Sequence, residues 1–350
     1  METIAVVVPA YNAEKYIKQC ICSVKQQTFA NWRMIIVDDG STDSTYNTAK
    51  KYSGADDRIS IIRQANQGSL SARKTGVNSE TSQQCDYITF LDADDELYPD
   101  CLQILYEVIK KFQADIAVGN IRRMIKHNIL WKHYDFSCMA INQPRYYSHE
   151  EVINELLYGY YGPVVFPVVL YGKLYKRKTI TDAVNSSSTV HFMGEDLSVT
   201  IRAVTNSTIV ITPKDVYKYR IGGGTSKFQP SMFDDFLALY RLKYEIGTQY
   251  KIPQDWKYTM IKELLAITKS CIQQCFYNNS TDTFVAEEVE RICSSVEVQD
   301  AALSVLSREP NNTYAAMINK RSYNEIIRLN KDIAKKAAFR KTIKKLIVKF

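Results

Sequence analysis

Histidine is scarce in this chain of 350 residues: four occur, at 127, 133, 149 and 191, and none stands at the spacing of a second metal ligand. No metal role follows for them. The eight cysteines (20, 22, 85, 101, 138, 271, 275, 293) include no CxxC pair, which removes a zinc ribbon or finger. With no secretory signal ahead of them they read as reduced, cytosolic thiols. The opening METIAVVVPAY lacks a basic n-region and its apolar run is too short for a signal peptide, while Val164–Tyr171, broken by Pro167, is too short to span a bilayer. Neither GxGxxG nor GxxxxGK[ST] occurs, so dinucleotide and P-loop sites lack their phosphate-cradling turns. An excess of positive charge over the body is missing too. Lys331–Phe350 holds eight Lys or Arg against one acid, which accounts for the whole net charge of +7, and residues 1–330 balance at 37 basic and 37 acidic. A protein built to bind nucleic acid spreads its positive charge over a domain face, so no nucleic-acid partner is expected.

What is present begins with ITFLDADDE, residues 88–96, an apolar run of strand character that ends in three carboxylates within four residues, Asp92, Asp94 and Asp95. In an α/β sheet, ligands bind beyond the carboxyl ends of the strands, which puts these acids at a ligand crevice. Hard oxygen ligands in an Asp-x-Asp pair suit Mg²⁺ or Mn²⁺, ions held by one or two protein carboxylates while substrate phosphates and water complete the shell. The competing reading is an acidic turn that caps the helix after Pro99.

Other strand-like runs have the same layout. TIAVVVP (3–9) leads into Ala10-Tyr11-Asn12 and then a helical pattern through Ile17, Cys20, Ile21 and Val24. Met34–Val37 closes on DDGSTDS, where Gly40 permits a sharp turn and Ser41 or Asp43 can cap the next helix. A third strand around 58–63 leads to NQGSLSAR, which opens a helix carrying Arg73, and a fifth is expected at Asp115–Asn120. Alternating strands and helices with polar loops at the strand ends predict an α/β, Rossmann-like, mostly parallel sheet with helices on both faces. From Pro230 the apolar spacing is helical throughout (Phe233, Phe236, Leu237, Tyr240; Ile261, Leu264, Leu265, Thr268; Val285, Val289, Ile292), which predicts a separate all-α region.

The segments VVVPAYNAEKYI, WRMIIVDDGSTDST, NQGSLSARKTGV and ITFLDADDELYPD, in that order, resemble the successive motifs of family 2 glycosyltransferases, which have the GT-A fold. The resemblance is strong over roughly residues 1–120, weaker to about 225, where KLYKR and GED recur in the family, and absent beyond. It implies a catalytic domain at 1–225 and an inverting transfer of a sugar from a nucleotide donor, usually UDP-linked; the helical spacing and the basic tail then give a helical domain at 226–330 and a membrane-associating tail at 331–350. The resemblance places Pro9 and Tyr11 beside the base and ribose, Asp39 at the uracil, Gly68 and Arg73 near the base and diphosphate, Asp92 and Ala93 at the ribose or sugar, and Asp94 on a divalent metal. The chemistry agrees: a carboxylate can accept from the uracil N3–H and a tyrosine face can stack on the base. Equally ordinary roles for Asp39 and Tyr11 are a turn-capping acid and a core-edge aromatic. Lys74 departs from the asparagine common in the family.

Gly194-Glu195-Asp196 opens a helical run, LSVTIRAV. Acids in a first turn are favoured by the helix dipole, and capping alone explains them. The resemblance implies more: Asp196 as the general base that deprotonates the acceptor hydroxyl, with Glu195 at the acceptor. Trp131, His133, Tyr134, Phe136, Tyr146, Tyr147 and YGYYGPVVFP form an aromatic middle that can supply acceptor platforms or simple packing. KYRIGGGTSKF (218–228) reads as a glycine-rich lid, with Arg220 and Lys227 available to offset charge on the leaving group. In the tail, Phe339, Ile343, Leu346, Ile347 and Phe350 recur at helical spacing among lysines and arginines, which predicts a basic amphipathic helix on the anionic inner face of a membrane. The expected enzyme is therefore a metal-dependent, cytoplasmic, peripheral-membrane glycosyltransferase, acting on a glycan or lipid-linked acceptor in cell-surface polysaccharide assembly. The alternatives are an inactive nucleotide-sugar-binding scaffold and an Asp-x-Asp phosphatase.

Overall fold

The computed structural model describes residues 2–126, 129–133, 137–161, 166–187, 194–221, 232–252, 255–277 and 281–333. Two compact units emerge, Met1–Thr225 and Ser226–Phe350.

The first unit runs β1 (Ile4–Ala10), α1 (Ile17–Lys25), β2 (Trp32–Asp39), α2 (Thr45–Ser53), β3 (Ile59–Gln64), α3 (Ser69–Val77), α4 (Glu80–Gln83), β4 (Tyr87–Phe90), β5 (Glu96–Leu97) and α5 (Cys101–Phe112). Then come β6 (Ile116–Lys126), β7 (Ile129–His133), β8 (Arg145–Tyr147), α6 (His149–Glu151), β9 (Lys173–Lys176), α7 (Arg177–Ser186), α8 (Glu195–Val204) and β10 (Ile209–Arg220). The strands form one sheet in the order β3-β2-β1-β4-β9-β6-β10-β5, with β7 on β6 and β8 on β10. Pairing is parallel across β3-β2-β1-β4 and between β6 and β10, whereas β9 is antiparallel to both its neighbours. The mostly parallel sheet read from the sequence is therefore interrupted by the reversed β9, and β5, β7 and β8 also pair antiparallel. The expected third strand sits one residue later than read, the strand into Asp92 stops at Phe90, and the fifth extends to Lys126.

β1 and β2 are near-continuous apolar runs because both faces of the sheet are covered. Side chains alternate: Ile4, Val6 and Val8 share one core with α1 and α5, built from Ile17, Ile21, Val24, Leu102 and Leu105. Val7 faces the other way, onto α3. There a Cβ on Gly76 would stand 2.4 Å from Val7 Cγ1, so only glycine lets this helix lie so close to the sheet. Register pairs Ala10 with Asp38 and Asp38 with Arg63, which brings the loops after β1, β2 and β4 to one end of the sheet, and β10 finishes at the same end.

The second unit is all helical in its described residues: α9 (Met232–Gln249), α10 (Trp256–Tyr277), α11 (Asp282–Cys293), α12 (Val296–Arg308), α13 (Thr313–Asn319) and a helix over residues 323–333. Phe233, Leu237, Leu264, Leu265, Val285, Val289 and Ile292 meet in one core, as their spacing predicts. Among the described residues no helix is long and apolar enough to cross a membrane. All eight cysteines are unpaired.

Candidate active site

The site is built from the loops at the carboxyl end of the sheet. The turn after β1 is stitched to the turn after β2: Asn12 N donates to Ser41 Oγ (3.0 Å), Thr42 N to Asn12 Oδ1 (2.9 Å) and Ala13 N to Thr45 Oγ1 (2.7 Å). Asn12 takes positive φ (49°) to make this turn. Asp43 accepts from Thr45 N (2.9 Å), but the N-cap of α2 is Ser44, whose side chain makes no capping bond, so neither Ser41 nor Asp43 is the cap expected. Tyr11 stays 51% exposed, so its ring face is open, and Pro9 lies half-buried at the end of β1.

Asp39 is buried, and much of its hydrogen-bonding capacity is committed to protein. Oδ1 accepts from Gln64 Nε2 (2.8 Å) and Gln67 N (3.0 Å), and Oδ2 from Gly68 N (2.9 Å). The carboxylate thus fastens the turn that starts α3, a turn passing through Gly68 at φ 88°, ψ 165°, where a side chain would be strained. One acceptor position on Oδ2 remains unspent.

Arg73, on the second turn of α3, is the hub. It is only 4% exposed, and its guanidinium reaches Asp92 Oδ1 (2.9 Å), Glu195 Oε1 (3.3 Å) and Asp196 Oδ1 (3.3 Å). Ser69 Oγ, one helical turn earlier, accepts from Arg73 Nη1 (3.2 Å) and donates to Glu195. Asp92 from the loop after β4 and, more than a hundred residues later, Glu195 and Asp196 from the first turn of α8 are therefore gathered on one cation. Burial pulls the guanidinium's pKa down, but the charges of Asp196, Asp92 and Glu195 outweigh it and hold Arg73 above its ordinary value.

The acidic run after β4 is anchored from β10. The Asp92 backbone N–H donates to the Tyr217 hydroxyl (3.1 Å), which donates to Asp95 Oδ2 (2.7 Å), and Arg220 N donates to Asp95 Oδ1 (2.7 Å). Arg220 also donates from Nε to Asp94 O (2.7 Å), pairs with Glu96 (3.3 Å) and lies over the Tyr16 ring (4.6 Å). That side chain holds the loop instead of standing free, and Lys227 lies outside the described residues. Asp95 is buried under these bonds, and Ala93 packs into the core. Neither Asp94 nor Asp95 forms an ion pair among the described residues, and Asp94 lacks the bonds from Tyr217 and Arg220 that hold Asp95. Burial and then the Asp92 charge push the pKa of Asp94 up, against the opposing charge of Arg220. No three or more His, Cys, Asp or Glu among the described residues converge as a metal cage would. An ion held by Asp94 would take most of its shell from phosphate and water.

Asp196 opens α8, whose N-cap Gly194 sits at φ 81°. Its side chain keeps 23% of its surface accessible, yet enough protein surrounds the carboxyl that burial, eased by Arg73, raises its pKa to about 6. Oδ1 is buried against Arg73 Nη1 (3.3 Å) and takes no hydrogen bond among the described residues. This is a carboxylate with capacity left to take a proton near neutral pH.

The motifs marked Asp92, Asp94, Arg73, Glu195 and Asp196, and the structure brings Asp92, Glu195 and Asp196 together on Arg73. They did not mark Tyr217, Tyr171 or Lys173. Tyr171 stacks on Tyr217 at 4.3 Å, and burial, then the charges of Asp92, Asp95 and Asp196, push its hydroxyl pKa up. Only the KLYKR segment gave a hint of Lys173. Tyr146 and Tyr147 lie on β8, with Tyr146 stacked against Phe112. Tyr134 and Phe136 lie outside the described residues.

A sheet of this topology, with acidic loops at the carboxyl ends of its central strands and a helical unit after it, has the GT-A fold. The same arrangement is found in the Staphylococcus aureus TarS 1–349 crystal structures in complex with UDP-GlcNAc and with UDP (TM-scores 0.64 and 0.63; 17% identity; 96% of this chain and 92% of that one). Residues 5–180, half of the chain, match the model of glycosyl transferase family 2, and the chain belongs to that family. Among curated proteins, the glycosyltransferase GlyA of Streptococcus pneumoniae is 28% identical over 340 residues, 93% of this chain and 44% of that protein. The glycosyltransferase GlyG of the same organism is 34% identical over 120 residues, 34% of this chain and 39% of that protein. The chain thus spans less than half the length of these two relatives.

Proposed function

We propose that this chain transfers a sugar, with inversion, from a nucleotide-sugar donor to a hydroxyl of a glycan or lipid-linked acceptor, in cell-surface polysaccharide assembly. The observation that carries the reading is the Arg73 hub, which joins the donor-side Asp92 to Glu195 and Asp196. The acceptor O–H proton passes to Asp196, the oxygen attacks the anomeric carbon, and the bond from that carbon to the diphosphate oxygen breaks with its electron pair, releasing the nucleoside diphosphate. Glu195, fixed by Ser69 and Arg73, orients the acceptor beside Asp196. Pro9, Tyr11, Gly68 and the free position on Asp39 face the nucleoside. UDP is favoured because TarS, with the same fold, binds UDP and UDP-GlcNAc. A divalent cation, Mn²⁺ or Mg²⁺, would be held by Asp94 and would neutralise the leaving diphosphate.

The test is a thermal-shift screen of UDP-, GDP- and dTDP-sugars with and without Mn²⁺. A donor at a hundred times its Kd should add about 2.7 kcal/mol to stability. Asp94→Asn should stay folded and lose the Mn²⁺-dependent part of UDP binding by calorimetry. Metal-dependent binding equal to the parent's would remove Asp94 from this role.

We also propose that the basic tail holds the enzyme on the cytoplasmic leaflet, where a lipid-linked acceptor would lie. Residues 334–350 fall outside the described residues, so the support is their sequence: each Lys or Arg near an anionic surface contributes about 1 kcal/mol before screening. The full chain should float with anionic liposomes at low salt and be released by high salt, while a chain ending at Asn330 should not float. Equal flotation of the two would end the proposal.

A further inference from the structure

Lys173, the first residue of β9, is wholly buried and has no carboxylate partner within ion-pair distance among the described residues. A buried ammonium persists only where hydrogen bonds and nearby charge compensate its lost hydration. Here the segment 166–170 wraps it: Nζ donates to Pro167 O (3.0 Å) and Val169 O, and lies over the Phe166 ring (5.4 Å). The same segment is fastened from its other side. Thr200 Oγ1 donates to Val168 O (2.7 Å) and the Tyr175 hydroxyl to Leu170 O (3.1 Å). Thr200 is four residues after Asp196 on α8, so the two share one face of that helix. The segment is thus clamped between the Asp196 face of α8 and the Lys173 ammonium, and it continues directly into Tyr171, which stacks on Tyr217, the residue whose hydroxyl accepts from Asp92 N.

We propose that Lys173 is a positioning residue for the transfer site, fastening the 166–171 wall against the Asp196 face of α8 and, while it is charged, favouring the ionised form of that carboxylate. The inference rests on Asp196 being the base. Burial lowers Lys173 to about 7, Asp196 and then Cys138 oppose that fall, and the ammonium is therefore mostly charged at pH 6, where Asp196 titrates, and loses its charge above 7. The groups that face Asp196 are Arg73 from α3, Asp92 from the loop after β4, Glu195 on its own helix, Lys173 from β9, and the hydroxyls of Tyr171 and Tyr175. Only Lys173 among them is a cation that is not already paired to an acid.

The test needs no substrate. With aspartate carboxyl carbons labelled with ¹³C and the Asp196 signal assigned by its loss in Asp196→Asn, the carboxyl should titrate near pH 6 in the parent. In Lys173→Met, which keeps the volume and removes the charge, it should titrate at least about half a pH unit higher. Coupling is reciprocal. In Asp196→Asn, therefore, the Lys173 ¹⁵Nζ signal should titrate lower than in the parent by a similar amount, and this second measurement decides alone if Lys173→Met does not fold. A Lys173 midpoint unmoved by Asp196→Asn overturns the proposal. The base assignment fails separately: if Asp196→Asn transfers at the parental rate while the two titrations remain linked, Asp196 is not the base and the coupling stands.

Discussion

Asp196→Asn should bind a UDP-sugar as tightly as the parent and transfer it at least 10²-fold more slowly, the usual contribution of a positioned general base. Donor affinity is spared because the donor-side groups are elsewhere: Asp39 remains on the α3 turn and Asp92 on Arg73. The fold is spared because the amide is isosteric and Arg73 keeps Asp92 and Glu195 as partners. The parent's pH profile carries the sign of the same assignment. A base works only when deprotonated, so with Asp196 at about 6 the rate should be full above roughly pH 7 and fall about tenfold per unit well below 6. An enzyme whose rate held level from pH 7 to 4.5 would have a different base. So would one in which the amide variant transferred at near-parental rate.

The strand ends were legible because each is an apolar, β-branched run stopped by turn residues, and such runs carry their own signal: VVVPAYN, IIVDDG and ITFLDADD all finish at the same end of the sheet. The helical unit was legible for the same reason at a different period. Contacts formed at long sequence separation were not legible. The Tyr217 hydroxyl meets Asp95 across 122 residues and Arg73 meets Glu195 across 122, and no local pattern encodes either. Asp39 shows a second limit. A motif says that an acid stands at a strand end, but not whether it faces a ligand or its own backbone, and here it does a good part of the latter through Gln67 N and Gly68 N. The reversed β9 was hidden because KLYK has no feature that sets strand direction; direction follows from where the preceding irregular segment delivers the chain. Lys173 was hidden because an isolated lysine in a strand reads as a surface residue, and only its surroundings show that it is buried.

The largest stability effect should come from Arg73→Met. Removing the shared cation leaves Asp92, Glu195 and Asp196 facing one another with their common partner gone, and breaking a buried pair from one side costs about 3–5 kcal/mol. Each of these acids keeps a fifth or more of its side-chain surface in water (27%, 21% and 23%), which points to the lower end, about 3 kcal/mol. The pH dependence distinguishes this from lost packing. Without Arg73 the carboxyls of the folded state hold protons more tightly than those of the unfolded chain, so the folded state binds the extra protons and stability falls as pH rises through the carboxylate range. The deficit relative to the parent should therefore be smaller at pH 5 than at pH 8, as read by urea unfolding at both. Arg73→Lys should recover only part of it, because one ammonium cannot present a planar fork to three separated carboxylates. A deficit below about 1 kcal/mol, or one equal at the two pH values, would mean that the three acids are held by their own backbones rather than by the guanidinium, and Arg73 would then be free to serve the donor diphosphate alone.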